Sequence, residues 1–257
     1  MSPLEAVAIG LAGMAAGTIN TVVGSGTLIT FPTLLAFGVP PVTANVSNTI
    51  GLVPGSVSGV VGYRRELEGQ RPRVLRIGVA SLIGGVVGAV LLLVLPDKAF
   101  SAIVPALVGL GILLVVLQPR INLWTAARHD AAGRPPRNPV LGAWWVWPAV
   151  LLAGVYGGYF GAAQGVLLMG IMSVSIQETL QRLNALKNVL AAIVNAVAGV
   201  LFALVADVDW TIAALIGIGS IIGGQLGATV GRRLPTPVLR LVIVLVGVVA
   251  LTVFLAG

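Results

Sequence analysis

The sequence contains no cysteine and a single histidine, His129, which lies in a polar stretch. The absence of cysteine excludes disulfide bonds, thiolate-bound iron–sulfur clusters and thiolate zinc sites. One histidine leaves almost no ligand set for a transition metal. We therefore expect this chain to hold no metal ion and no cofactor.

Catalytic groupings are missing as well. The sequence offers no Ser/His/Asp or Cys/His set for nucleophilic catalysis, and no paired carboxylates that suggest hydrolysis. It also lacks a phosphate-binding P-loop. We expect that the chain is not an enzyme and does not hydrolyse ATP. The alternative, a membrane subunit acting on lipid intermediates, would need a catalytic constellation of this kind.

Charge is scarce. Charged residues make up 9% of the chain and hydrophobic residues 57%, and the mean hydropathy is +1.04, whereas soluble domains carry about 25% charged residues. A chain of 257 residues has room for roughly eight to ten membrane spans of about 20 residues. The net charge of +7 comes from short basic clusters between apolar runs, which orient a chain in a membrane. We expect the lipid bilayer, and no nucleic acid, as a partner.

Ten apolar segments follow one another along the chain, so we predict an all-α, polytopic membrane protein. The second and seventh are too short to span, because thirteen helical residues rise only about 20 Å against a hydrocarbon core of about 30 Å. We predict that these two are broken or re-entrant half-helices. The segments are 3–22, 26–38, 41–63, 74–95, 99–118, 140–160, 165–176, 180–205, 210–231 and 236–256.

The two short segments lie in stretches that look like copies of each other. The first reads AGTINTVVGSGTLITFPTLLAFGVP over 16–40, and the second reads AGVYGGYFGAAQGVLLMGIMSVSI over 153–176. A duplicated, interrupted segment in matching positions of two halves is the best sequence pointer to the binding site of a transporter. Lipid tolerates a broken helix only where the break faces protein or a wet cavity.

The copies divide the chain into a first transmembrane repeat over 1–118, a cytoplasmic linker over 119–139 and a second repeat over 140–257. With five segments in each half, the loops predicted to be cytoplasmic hold 14 of the 15 basic residues, as the positive-inside rule requires. The N-terminus is then outside, and the odd number inverts one half relative to the other. These loops lie around 64–76, 118–138, 176–187 and 231–240.

With both glycine turns in order, the chain resembles the sulfite exporter TauE/SafE family of membrane permeases. The residues that carry the resemblance are GTINTVVGSGTLITFPTLLAFGVPPVTANVSNT, GVYGGYFGAAQGVLLM, LNALKNVLAAIVNAVAGVLFALVADVDW and GSIIGGQLGATVGRRL. One departure is Ala162-Ala163-Gln164, where Gly and Thr are more usual. The resemblance implies a secondary permease, in a bacterial inner membrane, for sulfite or organosulfonates such as sulfoacetate.

Lys187 is the sharpest candidate for the substrate site, since it lies about two turns into the eighth segment. A charge within a membrane helix costs about 2.5–3.5 kcal/mol or more unless it is paired or hydrated. We interpret it as a counter-charge for a small anionic substrate. The alternative is that Lys187 snorkels to the cytoplasmic interface, beside Arg182.

The remaining candidates are turn residues and amides. Glycine lets a ligand approach the backbone closely, and a half-helix N-terminus presents free N–H groups to an oxyanion. The alternatives are close helix packing for the glycines and interhelical hydrogen bonds for the amides. The substrate-binding candidates are Gly24, Ser25, Gly26, Thr27, Asn45, Asn48, Gly161, Gln164, Gly165, Asn184 and Asn188.

The function predicted from these features is secondary transport of a small sulfur oxyanion by alternating access around a midplane site. An inside-negative potential drives an anion outward with about 2.3 kcal/mol per charge per 100 mV, so we expect an exporter that needs no co-ion. A permease for another small anion or for a cation is the alternative. The sequence leaves the exact substrate and the oligomeric state open.

The topology can be tested on this cysteine-free background by placing one cysteine at Arg71. We expect a membrane-impermeant maleimide to label it only after the cells are opened, because 64–76 is predicted to be cytoplasmic. Labelling of intact cells would contradict the predicted orientation. A cysteine in place of Lys98, which is predicted to lie outside, is the matched control and should be labelled in intact cells.

Overall fold

The computed structural model describes residues 1–132, 143–176, 178–230, 241–248 and 252. Within these ranges the chain is helical and contains no strand, so the predicted all-α class is confirmed. Residues 241–248 are helical too, and the rest of the predicted tenth segment lies outside the described residues. The helices are α1 (Pro3–Val22), α2 (Thr27–Ala36), α3 (Pro41–Gly62), a 3₁₀ turn (Arg64–Leu67), α4 (Arg71–Val94), α5 (Asp97–Ala132), α6 (Val146–Tyr159), α7 (Gln164–Ser175), α8 (Leu180–Val205) and α9 (Trp210–Thr229).

Helix lengths sort the segments into spanning and short ones. Five described helices, α1, α4, α5, α8 and α9, are long and apolar enough to cross a membrane, while α2, α6 and α7 are shorter apolar helices. The two predicted half-helices are confirmed as short, with 10 residues in α2 and 12 in α7. Two bounds differ from expectation. Helix α6 begins at Val146 and has 14 residues, and α5 continues to Ala132, so residues 119–132 of the predicted linker are helical.

Local sequence explains where several helices begin. Ser2 and Glu5 form a capping box on α1, in which the Ser2 hydroxyl accepts from Glu5 N at 3.2 Å and Ser2 N donates to the Glu5 carboxylate at 2.8 Å. The Asp209 carboxylate accepts from the first N–H groups of α9, and the Thr179 hydroxyl accepts from Arg182 N at the start of α8. Such caps satisfy N–H groups that have no partner within the helix.

Each half packs one of its helices against the other half. Helix α9 packs on α1 and α3 of the first half, and α4 packs on α6 and α8 of the second half. Small residues allow the close approach: a Cβ added at Gly17 would overlap Ser220, and one added at Gly84 would overlap the carbonyl of Leu151. The core between the membrane faces is therefore built from both halves.

Residue contacts give the directions of the helices. Along α1 and α9, Gly13 faces Ile216 and Gly17 faces Ser220, so the two helices run parallel. Helices α4 and α6 are parallel by the same criterion, since Gly84 faces Leu151 and Gly88 faces Val155. Helices α3 and α8 run antiparallel: Ile50 faces Gly199, and Asn195 donates to the Ser56 hydroxyl at 3.1 Å. The inverted repeat stays a prediction, and such a repeat requires directions of this kind.

A charged network joins the loops before α4 and α8, both of which are predicted to be cytoplasmic. The Glu178 carboxylate accepts from Arg73 at 3.1 Å and from Arg182 at 2.8 Å. Gln70 donates to the carbonyl of Arg182 at 3.1 Å, and Arg182 donates to the carbonyl of Glu68 at 3.0 Å. Burial raises the pKa of Glu178, but the hydrogen bonds from Arg73 and Arg182 outweigh it and hold the pKa below its usual value.

This network predicts a pH dependence of stability. A carboxyl whose pKa is depressed by folding stabilises the protein above its unfolded pKa of about 4.3 and loses that contribution as pH falls through the folded pKa. We expect Glu178→Gln to lower stability at pH 7 by about 1 kcal/mol and to have less effect at pH 3. Thermal unfolding in detergent measures both.

The matched control is Glu68→Gln, which neutralises an exposed carboxylate in the neighbouring loop and keeps the backbone carbonyl that binds Arg182. It should leave the pH profile unchanged. An equal loss of stability for Glu178→Gln at pH 7 and pH 3 would show that the ion pairs do not stabilise the fold.

Candidate functional site

Both glycine turns break the chain in the same way. Gly24 and Gly161 have φ values of +90° and +74°, a region that favours glycine. The N–H of Gly24 bonds to the carbonyl of Ile19 at 3.0 Å, and the N–H of Gly161 bonds to that of Tyr156 at 3.0 Å, each reaching five residues back. The chain then turns into the half-helices α2 and α7. The duplication seen in the sequence is therefore also a duplication of backbone geometry.

The two turns touch each other inside the bundle. The N–H of Gly165 donates to the carbonyl of Gly24 at 3.0 Å, and a Cβ on either glycine would overlap the Cα of the other. Gly26 is equally confined, since a Cβ there would overlap the carbonyl of Ala16. The close-packing interpretation explains why these three positions are glycine. Their predicted contact with substrate stays a prediction.

The first N–H groups of the half-helices have partners within the turns. Leu28 N donates to Ser25 O at 3.1 Å and Ile29 N to Gly26 O at 2.9 Å, while Val166 N donates to Ala163 O at 3.1 Å. The N-termini were predicted to present free N–H groups to an oxyanion. In this conformation the N–H groups of Leu28, Ile29 and Val166 are occupied, and oxyanion binding at the half-helix N-termini stays a prediction. Polar side chains also gather at the C-terminal ends of α1 and α6.

At the end of α1, three side chains of α8 converge on one carbonyl. Thr21 O accepts from Asn184 Nδ2 at 3.1 Å, from Lys187 Nζ at 3.1 Å and from Asn188 Nδ2 at 3.3 Å. Lys187 Nζ also donates to Asn20 O at 2.9 Å. These contacts cap a helix that stops inside the protein, where its last carbonyls have no helical partner. We name this set of residues the α1 cap.

Lys187 is the least expected member of the α1 cap, since it is 0% exposed. Both ion pairs among the described residues involve Glu178, so Lys187 has no carboxylate partner there. The ammonium is held by backbone carbonyls and by the negative end of the α1 dipole, which favours a cation. In this conformation the amine does not reach the protein surface, because it lies against the break in α1.

At the end of α6, the corresponding amide makes a similar contact, one residue nearer the glycine turn. Asn45, on α3, donates from Nδ2 to Tyr159 O at 3.0 Å, two residues before Gly161, and Asn184, on α8, donates to Thr21 O, three residues before Gly24. Each amide belongs to one half and caps the broken helix of the other. We name the Asn45–Tyr159 contact the α6 cap.

A third polar group lies at the start of α2. Asn48 accepts a short hydrogen bond from the Thr30 hydroxyl, and its Nδ2 donates to the Thr27 hydroxyl at 3.3 Å. This group stays within the first half. Among the described residues no hydrogen bond joins Lys187 to Asn48, Asn45 or Gln164, so the predicted site residues form separate clusters around the two turns.

Several predicted site residues carry buried polar atoms without a protein partner. They belong to different elements, and Gln164 packs its amide against Gly157 of α6. A buried polar group that makes no hydrogen bond costs about 1–3 kcal/mol, so such atoms favour a polar ligand or water beside them. The atoms are Ser25 Oγ, Asn45 Oδ1, Gln164 Nε2 and Asn184 Oδ1.

The hydrogen-bond acceptors of these residues could not be predicted from the sequence. The acceptors Asn20 O, Thr21 O and Tyr159 O are backbone atoms, which no residue pattern identifies. A visible signal was a second duplication, SLIGGVVGA at 81–89 and SIIGGQLGA at 220–228. These stretches pack α4 on α6 and α9 on α1, and they position the helices that end at the two caps. No group of three or more His, Cys, Asp or Glu that could hold a metal occurs in the described part of the chain.

The described residues are helical, include five helices that can cross a membrane and enclose polar groups at two helix ends, as in a polytopic membrane protein. The model of the sulfite exporter TauE/SafE family matches residues 9–254, and the chain belongs to this family. It is 27% identical to the probable membrane transporter protein ORF9 of Sinorhizobium sp, over 93% of this chain and 87% of ORF9. It is 26% identical to the probable membrane transporter protein YfcA of Escherichia coli K12, over 94% of this chain and 88% of YfcA. No solved structure matches the chain.

These similarities support membrane transport as the general function. The relatives cover the chain almost from end to end, so both glycine turns fall within the shared region. We therefore interpret the buried polar clusters as parts of a membrane transporter.

The contact between the turns predicts the effect of a small substitution. Gly165→Ala should lower the stability by about 1–3 kcal/mol, because the added Cβ overlaps Gly24 Cα. Thermal unfolding in detergent measures this effect. Gly10→Ala is the control, since a Cβ at Gly10 meets no atom within 4 Å. If the turn is open to ligand instead, Gly165→Ala will keep wild-type stability and lose only transport.

Proposed function

We propose that the chain is a secondary transporter that exports a small sulfur oxyanion, such as sulfite or an organosulfonate, across a bacterial inner membrane. The observation that carries this proposal is the fully buried Lys187 amine, which has no carboxylate partner among the described residues. The family description, sulfite exporter, supports the choice of anion. The N-terminus lies outside in this proposal, and residues 119–139 lie on the cytoplasmic side.

The charge balance around Lys187 favours an anionic substrate. An isolated charge in a low-dielectric interior is costly, and backbone carbonyls compensate it only in part. A small anion beside the α1 cap would supply the missing negative charge without a permanent carboxylate. An acidic residue in that place would repel the substrate, so its absence among the described contacts of Lys187 suits an anion site.

The hydrogen bonds around the breaks support alternating access. Lys187, Asn184 and Asn188 of the second half hold the end of α1, and Asn45 of the first half holds the end of α6. We propose that the halves form an inverted repeat and rock against each other about the two turns. Rocking exchanges the hydrogen bonds across the halves, which exposes the site first to one side of the membrane and then to the other.

The direction follows from the charge of the substrate. An inside-negative membrane potential moves an anion outward with about 2.3 kcal/mol per charge per 100 mV. Export of sulfite or of an organosulfonate therefore needs no energy input beyond the potential. Proton coupling through an intramembrane carboxylate is not required.

The charge of Lys187 can be tested by binding of sulfite and sulfoacetate to purified protein. Lys187→Gln should weaken binding by roughly ten- to a hundredfold, because an ion contact in a partly dry site is worth about 1.5–3 kcal/mol. Lys187→Arg should restore binding only in part, since the planar guanidinium does not replace a compact ammonium. Isothermal titration calorimetry measures the affinities.

Because Lys187 also caps α1, each variant needs a parallel measurement of thermal stability. The matched control is Lys98→Gln, which removes the same charge at an exposed position and should bind normally. Wild-type affinity in a folded Lys187→Gln protein would refute the counter-charge role and leave Lys187 as a structural cap.

A further inference from the structure

The ends of α1 and α6 have similar backbone geometry, but different side chains donate to their carbonyls. Asn184 on α8 and Asn45 on α3 cap the two ends, and Lys187 and Asn48 each follow three residues later. Lys187 places its amine on the carbonyls at the end of α1. Asn48 instead bonds to the Thr27 and Thr30 hydroxyls. The end of α6 therefore receives no amine from the corresponding position.

At the end of α6, a backbone carbonyl lacks its helical N–H donor. In α1, Lys187 bonds to the carbonyl in the corresponding position. Tyr156 O accepts from both Phe160 N and Gly161 N, each at 3.0 Å, so Gly157 O loses the N–H of Gly161, its usual helical donor. In α1, Ile19 O likewise accepts from Val23 N at 2.7 Å and Gly24 N at 3.0 Å. The carbonyl freed there belongs to Asn20, and Lys187 donates to it at 2.9 Å.

A side-chain oxygen adds to the carbonyls at the end of α6. Asn45 is 0% exposed, and its Oδ1 has no partner. The bond from Nδ2 to Tyr159 O fixes the orientation of the amide, so Oδ1 is held beside the helix end as an acceptor. Gly157 lies against the Gln164 amide, and Gly158 lies against the backbone of Gly85.

We propose that the C-terminal end of α6 binds a sodium ion, which takes the place that the Lys187 ammonium takes at the end of α1. Its ligands would be drawn from the α6 carbonyls and from Asn45 Oδ1. Uncharged oxygens at a helix C-terminus suit a monovalent cation, as unwound carbonyls do in other transporters. Divalent ions prefer carboxylates, and no carboxylate is hydrogen-bonded to Asn45 among the described residues.

The sodium ion and Lys187 would give the two breaks equal charge, one from the solvent and one from the chain. An anion beside the turns would then face two positive charges. Sodium binding is independent of the identity of the anion, and it is measured without any anionic substrate. Its failure would leave the proposed anion transport untouched, and its success would establish a bound ion without making sodium a transported co-ion.

The experiment is binding of ²²Na⁺ to the purified full chain, in chloride buffers that contain no sulfur oxyanion, with choline as the balancing cation. We expect saturable binding of one ion per chain that unlabelled Na⁺ displaces and choline does not. In parallel, Na⁺ should raise the melting temperature by about 2–4 °C in a saturable way. A folded wild-type protein without saturable ²²Na⁺ binding would overturn the proposal.

Two substitutions locate the ion. Asn48→Lys supplies a tethered amine at the position corresponding to Lys187, so it should abolish ²²Na⁺ binding and remove the Na⁺-dependent shift in melting temperature. Thr43→Lys, on the same helix, is the matched control and should keep binding. Full ²²Na⁺ binding in a folded Asn48→Lys protein would overturn the proposed location.

Asn45→Asp keeps the shape of the side chain, although it loses the donor to Tyr159 O, and it covers the case in which Asn48→Lys does not fold. The added carboxylate should lower the half-saturating Na⁺ concentration by about tenfold or more. An unchanged half-saturating concentration would exclude Asn45 as a ligand. A melting-temperature shift of the same size in choline, potassium and sodium chloride would show that only ionic strength acts.

Discussion

A helix that ends inside a protein, away from water, leaves backbone carbonyls that no further helical turn can satisfy. In this protein the donors come from the opposite half of the chain. Lys187 and Asn184 bond to the last carbonyls of α1, and Asn45 bonds to the end of α6. The requirement for satisfied carbonyls thus ties the halves together at the two breaks.

Much of the fold could be predicted because apolar length and helix caps are local properties. The predicted segment 180–205 coincides with α8, whose start is set by the Thr179 cap. Helix α5 runs beyond its predicted end. The apolar run ends near Gln118, but the polar residues after it continue the same helix. The packing of α4 and α9 against the opposite halves depends on contacts between residues far apart in sequence. Only the repeated glycines at 81–89 and 220–228 indicated it.

The site was predictable in its residue types and not in its partners. Amides and one amine on apolar helices predicted a buried polar function, and Lys187 and Asn184 do meet at one carbonyl. Spacing alone could not show that the acceptors would be carbonyls of the other half. Nor could it show which N–H groups of the half-helices are already bonded within the turns, as Val166 N is to Ala163 O.

The central claim is that this interior carries a small anion and moves its charge across the membrane. Uptake of ³⁵S-sulfite into proteoliposomes, with a potential imposed by potassium and valinomycin, tests it most directly. A positive lumen at 100 mV should drive accumulation of a singly charged anion by about fiftyfold at equilibrium, and protein-free liposomes should show none. Uptake that does not depend on the potential, or a protein that moves only cations under it, would contradict the account.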